Sequence, residues 1–297
     1  MKIGIDLGGS HIAVGLIESS GKVLSKKEVQ ILKEDGKNIR NIIENYIFEC
    51  FEEFKRNNKI EGIGIAIPGT VSKTTVVKSV NLGLENYNIV EALKKRIDLP
   101  INIKNDAKCA AIAENTYGSI KDYNNSLFLT LGTGIGGAVI YENKLLSPDG
   151  VPGFEFGHMI IKHNGKLCKC GKRGCFEQYG SMNAFKQRII EELELDVKID
   201  GENLLRVVEK EKHNPVVQEI IDQYLTDLSI GISNLINIFE PQAIGIGGSF
   251  VFFSDMLLPE LKNKLLKDNL LFNKRDELII NNATLGNDAG MIGAALI

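Results

Sequence analysis

Apolar positions along this chain switch repeatedly between two spacings. Lys2 to Asp6 is a short strand-like run, the turn Leu7-Gly8-Gly9-Ser10 follows, a second run reaches Ile17, and after Ser19-Ser20-Gly21 a third extends from Lys22 to Ile31. This pattern predicts an antiparallel meander. Ile39, Ile42, Ile43, Tyr46, Ile47, Cys50, Phe51 and Phe54 then recur at helical spacing, so Asn38 to Phe54 reads as a helix with one buried face. Ile63 to Ile67 is a buried strand stopped by Pro68-Gly69, and a hairpin through Val80 leads to a loop at Asn81. Asn88 with Glu91 forms a capping-box signal for a helix to Ile97, and Pro100 closes that element before the strand Ile101 to Lys104. Asn105-Asp106 opens an alanine-rich helix.

The second half repeats the opening. The strand Leu127 to Leu131 runs into Gly132-Thr133-Gly134-Ile135-Gly136-Gly137, and Ala138 to Tyr141 is again strand-like. Leu7-Gly8-Gly9-Ser10 aligns with Leu131-Gly132-Thr133-Gly134, and Ile63 to Gly69 has a counterpart in Ile244 to Ser249, which suggests an old duplication. Helices are predicted over Met182 to Leu193, Glu202 to Glu211 and Pro215 to Phe239, the last with proline in its first turn. Asp222 and Asp227 interrupt its apolar stripe, which is incompatible with a membrane span. Pro241 stops it, Ala243 to Ile246 is a strand, Gly247-Gly248-Ser249 is a tight loop, and Leu285 to Gly290 opens a small-residue helix.

With 297 residues, 43% of them hydrophobic, the chain can build two cores. A net charge of −3 without a basic block gives no support for nucleic acid or an anionic membrane as partner. No apolar run spans a bilayer, and MKIGIDLGG enters a strand directly, so the expected location is the cytoplasm. Cys50 and Cys109 read as small buried hydrophobes, and no disulfide framework is indicated.

The densest chemistry lies between Gly153 and Glu177. Cys168, Cys170 and Cys175 share a glycine-punctuated loop, and His158 lies just upstream, which supplies three thiolates and one imidazole for a closed tetrahedral zinc. Gly171 and Gly174 let so short a loop turn its sulfurs to one point. His163 competes for the fourth position and ranks second, because His158 is bracketed by Glu155 and the tight Gly157. Four protein ligands leave no place for a substrate, so the ion is expected to be structural and to fix the spacing of Glu155 and Glu177.

Gly132, Gly134 and Gly137 satisfy GxGxxG by count, but a strand follows them where a dinucleotide fingerprint needs a helix. Each glycine loop alone reads equally well as a tight hairpin turn. Two alike in two similar half-chains favour a pair of backbone N–H cradles for a polyphosphate. Asp106 has two readings as well. It is a helix N-terminal charge, which position alone favours, or a functional carboxylate at a strand's end.

Together, Asp6-Leu7-Gly8-Gly9-Ser10, Asn105-Asp106-Ala107, Leu131 to Gly137, Gly153-Phe154-Glu155-Phe156-Gly157-His158 and Cys168 to Cys175 resemble the ROK family of sugar kinases and repressors over the entire chain. The resemblance implies an α/β, actin-like ATPase (ribonuclease H-like) fold of two domains with a cleft between them. The expected domains are 1–117 joined by the C-terminal helix 288–297, and 118–287 carrying the zinc element 153–177. It implies transfer of the γ-phosphoryl of ATP, with Mg2+, to a hexose hydroxyl, most simply the 6-hydroxyl of glucose. N-acetylmannosamine, fructose and allose are the competing acceptors, and a sugar-sensing regulator is the reading from another class.

By the same resemblance Asp106 is the catalytic base, and Gly69, Asn81, Asn105, Asp106, Glu155, His158 and Glu177 bind sugar. Asp6, Gly8, Gly9, Ser10, Gly132, Thr133, Gly134, Gly247 and Gly248 bind the nucleotide, and His158, Cys168, Cys170 and Cys175 bind zinc. Asp106 is expected to be ionised at neutral pH, like an ordinary carboxyl near 4. A homodimer is implied too. Family repressors carry a DNA-binding segment ahead of the first loop, and only Met1 to Ile5 stand there, which favours the kinase expectation. Three departures stand out: Ser10 replaces the usual Thr, Lys108 the usual Asn, and the customary tryptophan near Asn81 is missing from a chain with no Trp.

Overall fold

A computed structural model describes residues 1–31, 38–147, 153–268 and 279–297. It divides into two compact units. The first comprises Met1–Lys121, Lys144–Gly153 and Leu285–Ile297, and the second Asp122–Asn143 and Phe154–Thr284. Lys144–Gly153 thus groups with the first unit, where the family resemblance assigns it to the second.

The first unit opens on the expected meander, β1 (Lys2–Leu7), β2 (His11–Ile17) and β3 (Val23–Gln30). After α1 (Ile39–Phe54) comes β4 (Ile63–Ile67), then a small antiparallel sheet of β5 (Thr70–Ser72), β6 (Thr75–Ser79) and β7 (Leu84–Tyr87). The short α2 (Ile89–Lys94), β8 (Ile101–Asn105) and α3 (Asp106–Tyr117) complete this run. The main sheet has the order β3-β2-β1-β4-β8, with β4 parallel to both β1 and β8. All five residues of β4 are buried, as a central parallel strand covered on both faces requires. Edge strand β3 alternates half-buried with exposed residues along its length. Asn88 caps α2 as its sequence signals, its side chain accepting from the Glu91 N–H and donating to the Glu91 carboxylate.

The second unit rebuilds the same pattern. β9 (Ser126–Leu131) pairs antiparallel with β10 (Ile135–Tyr141); the two-residue β11 (Lys144–Leu145) that follows in the chain falls in the stretch grouped with the first unit. Next come α4 (Glu177–Gly180), α5 (Met182–Glu192), α6 (Gly201–Lys210) and α7 (Pro215–Phe239), then β12 (Ala243–Gly247), α8 (Ser254–Asp268) and β13 (Ile279–Asn282). β12 lies between β9 and β13 and is parallel to both, as β4 lies between β1 and β8. The half-chain correspondence read from sequence is therefore a correspondence of strand pairing.

α7 starts at Pro215 with Asn214 accepting from the Val216 N–H, and ends at Glu240 in the left-handed conformation. Its buried face packs Tyr224, Leu228 and Ile232 into a core with Phe176, Phe185 and Phe250. The two aspartates that break its stripe are both paired, Asp222 with Lys264 of α8 at 2.7 Å and the buried Asp227 with Lys162 at 2.7 Å. Among the described residues no helix is long and apolar enough to cross a membrane.

α9 (Ala289–Leu296) belongs to the first unit and lies on its sheet. Its approach is close because a Cβ on Gly4 of β1 would fall 2.0 Å from the Met291 carbonyl oxygen, and one on Gly64 of β4 1.6 Å from that of Ala294. Backbone thus meets backbone, which only glycine permits.

Candidate active site and metal centre

In the first unit the candidate residues gather at the C-terminal ends of β1 and β8. The turn after β1 closes through the Gly8 N–H, which donates to the His11 carbonyl at 2.9 Å. Asn81 lies over this turn, so that a Cβ on Gly9 would stand 3.2 Å from the Asn81 Cβ. Asn105 ends β8 and caps α3: its Oδ1 accepts from the Lys108 N–H at 3.3 Å, and its Nδ2 donates to the Gly69 carbonyl at 3.1 Å. Gly69 holds the left-handed φ of 101° that this contact needs. Asp106 is the first residue of α3 and accepts from the Ala107 N–H at 2.8 Å.

The two carboxyls of this unit are not ordinary. Burial pushes Asp6 up to about 7, Asp106 and Asp288 push the same way, and Lys26 opposes them. Gly290 admits the Asp6 carboxylate, since a Cβ there would come within 2.6 Å of Oδ2. Burial likewise lifts Asp106 above the usual carboxylate range, against the lowering effect of the Ala107 N–H and Asn105. The ordinary carboxyl expected at Asp106 is thus raised by desolvation, which depends on packing that spacing along the chain does not reveal. Lys108 sends its ammonium to the Gly153 carbonyl at 3.1 Å.

In the second unit the candidates assemble around the start of β10. Glu177 Oε2 accepts from the Ile135 N–H at 3.2 Å. It lies so near Gly134 that a Cβ there would be 2.2 Å from the same oxygen. Gly157 presses on the other side of the same residue, as its Cβ would stand 2.5 Å from the Ile135 carbonyl oxygen. Gly248 takes φ 78° against the end of β9, and its Cβ would meet the Leu131 carbonyl oxygen at 2.5 Å. Gly132 to Gly134, Gly247-Gly248, Glu177 and the turn carrying Glu155 and His158 are thus brought together within this unit. Glu155 itself is exposed and starts the single turn Phe156–His158.

The metal-ligating set converges. One donor atom each from His158, Cys168, Cys170 and Cys175 lies within 4.8 Å of all the others. Cys168 Sγ is 3.7 Å from His158 Nδ1, and Cys170 Sγ is 3.6 Å from Cys175 Sγ. Zinc–sulfur bonds of about 2.3 Å and zinc–nitrogen bonds of about 2.0–2.1 Å put tetrahedral ligands roughly 3.5–3.8 Å apart, so the set fits the ion. Burial and then the Cys170 and Cys168 sulfurs push the Cys175 thiol up to about 12, while the Lys172 N–H holds Cys170 below the usual thiol range. His163, the rival ligand, is exposed and outside the set. Gly171 and Gly174 adopt φ of 88° and 82°, as the tight loop requires.

Two glycine-looped units built on one strand pattern define an α/β protein of the actin-like ATPase class. The ROK family profile matches residues 2–297, and the chain belongs to that family. The glucokinase of Streptomyces coelicolor is 30% identical over 312 residues, spanning 99% of this chain and 96% of its own length. The xylose repressor of Caldicellulosiruptor bescii is 29% identical over 275 residues, spanning 88% and 68% respectively. The crystal structure of a ROK family glucokinase from Streptomyces griseus, in complex with glucose and AMPPNP, superposes with a TM-score of 0.77. It is 26% identical and covers 99% of this chain and 97% of that one.

Proposed function

We propose that this ROK protein is an ATP-dependent sugar kinase that phosphorylates the 6-hydroxyl of glucose. The observation that carries the reading is the half-buried Asp106 carboxyl, fixed at the first turn of α3 at the C-terminal end of β8 by the Ala107 N–H and raised above the usual carboxylate range by desolvation. A general base must stand within reach of the proton it takes and gains proton affinity as its pKa rises, and desolvation moves Asp106 in that direction. The attacking hydroxyl gives its proton to Asp106 as its oxygen bonds to the γ-phosphorus and the bond to ADP breaks. The transition state is loose, so alignment contributes more than base strength.

Asn105, Gly69 and Asn81 position the sugar in this reading, with Glu155, Glu177 and the second nitrogen of His158 contacting its hydroxyls. The Gly8-Gly9-Ser10 and Gly132-Thr133-Gly134 turns, Asp6 and Gly247-Gly248 bind the nucleotide. The paired Asp6 and Asp106 carboxyls suit a Mg2+ ion arriving with ATP, which when bound neutralises phosphate charge. His158, Cys168, Cys170 and Cys175 hold a structural zinc that fixes Glu177. Cytoplasmic residence and a homodimer belong to the same reading.

A coupled assay of ATP consumption across glucose, N-acetylmannosamine, fructose and allose tests it, with the highest kcat/KM expected for glucose. A different preferred sugar replaces the acceptor and keeps the kinase. Sugar binding with no turnover on any of them favours the second reading, a sugar-sensing regulator, which the similarity to a xylose repressor supports.

A further inference from the structure

The second unit holds another concavity, of about 340 Å³, that neither the glycine loops nor the metal cluster uses. Its lining comes from four elements: Lys162 and Lys166 of the metal loop, Tyr179 of α4, Arg188 of α5, and Gln223 and Asp227 of α7. That volume lies at the lower end of sites for a single small ligand, roughly 300–1,000 Å³.

The charges do not balance. Asp227, 3% exposed, takes the Lys162 ammonium on Oδ1 at 2.7 Å and on Oδ2 at 3.0 Å, and the Gln223 amide on Oδ1 at 3.2 Å. Its charge is therefore spent on Lys162. Among the described residues neither Arg188 nor Lys166 has a carboxylate partner, so two positive charges face the cavity uncompensated. A half-buried guanidinium offers a fork of N–H donors that phosphate oxygens match in pairs.

The wall behind these cations is built. The Lys162 and Lys166 ammonium groups lie 4.5 Å and 5.8 Å from the Tyr179 ring centre, and the Tyr179 hydroxyl accepts from the Lys166 backbone N–H at 2.6 Å. Gly165 makes that contact possible, because a Cβ there would stand 2.1 Å from the hydroxyl oxygen. The Gln223 amide nitrogen is committed to Asp227, which leaves its carbonyl oxygen to accept from a ligand hydroxyl.

We propose that this cavity is an effector site for a phosphomonoester dianion carried on a hydroxylated skeleton. The product of the proposed kinase is of that class, so the site provides for feedback; this part rests on the kinase reading. The route is short: Tyr179 shares the single turn of α4 with Glu177, whose carboxylate holds the Ile135 N–H at the second glycine loop. A ligand drawn between Arg188 and Lys166 presses on Tyr179 and through it shifts Glu177.

Equilibrium dialysis of glucose 6-phosphate against the full chain saturated with glucose and AMPPNP tests the site. One equivalent is expected to bind, at least tenfold more weakly in Arg188→Gln and in Lys166→Gln, with inorganic phosphate weaker than the ester. Both variants should keep basal turnover measured without effector and lose any change of sugar KM that glucose 6-phosphate produces in the parent. Unchanged affinity in both variants, loss of binding on saturation, or equal affinity for inorganic phosphate overturns the assignment. Should Arg188→Gln melt early, the exposed Lys166→Gln carries the comparison. If no sugar is phosphorylated the kinase reading falls, while dialysis of parent against variant still decides the cavity.

Discussion

The two units use one strand arrangement and place charge on it in opposite ways. In the first, the residue before the glycine turn is Asp6, so the acid sits on the strand itself and is desolvated to about 7. In the second, the corresponding residue is Thr130, and the acid arrives from elsewhere: Glu177 of α4 reaches the turn and accepts from Ile135. A strand-borne acid is fixed by the backbone and destabilises the fold that buries it. A delivered acid costs less, but its place depends on whatever holds the arm that bears it, which here is the loop of Cys168, Cys170 and Cys175, the proposed zinc ligands.

Removing the metal should therefore upset the second unit far more than the first. Zinc contributes about 10 kcal/mol or more to the folding of isolated finger peptides, so even a fraction of that exceeds the loss of any single hydrogen bond in the fold. Cys175→Ser, or chelation of the parent, should lower Tm by many degrees and raise the sugar KM. Metal analysis together with a thermal melt checks this, and an unchanged melt in a metal-free chain refutes a structural ion.

On the first unit the largest effect belongs to Asp106, the proposed base. Asp106→Asn keeps the shape of the side chain and loses the proton acceptor, which should reduce kcat by roughly 10²–10⁴-fold. Sugar affinity, read by isothermal titration, should stay within a few-fold. Retained turnover would remove Asp106 from the role of base.

How much of this could be read from the chain depends on the range of each interaction. The meander, α1, α7 with Pro215 in its first turn, and the Asn88–Glu91 box are set by neighbours a few residues apart, and all are where the pattern puts them. The convergence of His158, Cys168, Cys170 and Cys175 was legible because the three cysteines share one loop. Four elements were missed, one of them the single-turn α4. β7 is too short to show alternation, with one left-handed residue, Asn86, inside it. α8 carries Pro259 within its span, and β13 is a four-residue strand ending in two asparagines. The Gly247-Gly248 loop continues as a 3₁₀ turn to Phe253 that its apolar run did not announce. Neither the Glu177–Ile135 bond, 42 residues apart, nor the burial of Asp6 under α9 leaves any trace in local spacing.

That burial gives the next prediction its sign. Asp6 titrates near 7 in the fold against 3.8 ordinarily, so between about pH 4 and pH 7 the folded chain keeps a proton that the unfolded chain has released. Stability then falls as pH rises through this window, and the full penalty, on the order of 4 kcal/mol, is present above pH 7. Asp6→Asn should make the ligand-free protein more stable than the parent at pH 8 and level with it below pH 4, while lowering turnover. Denaturant melts at the two pH values decide this, and equal gains at both would show that the carboxyl's charge is not the cause.

The smallest effect discriminates best between the two ways of placing an acid. A Cβ on Gly134 would lie 2.2 Å from Glu177 Oε2, the free end of a flexible side chain, so Gly134→Ala should push the carboxylate off the Ile135 N–H and leave the fold intact. Losing one such bond costs about 1 kcal/mol, roughly a fivefold change in affinity, with little movement of Tm. If Glu177 serves the sugar, the sugar KM takes that change and the ATP KM does not. If the ATP KM moves instead, the delivered acid belongs to the phosphate turn it touches, and the two units share a division of labour as well as a strand order. Gly9→Ala is the matched control, because its Cβ would meet Asn81 Cβ at 3.2 Å, a backbone-proximal atom that can yield only by a few tenths of an ångström.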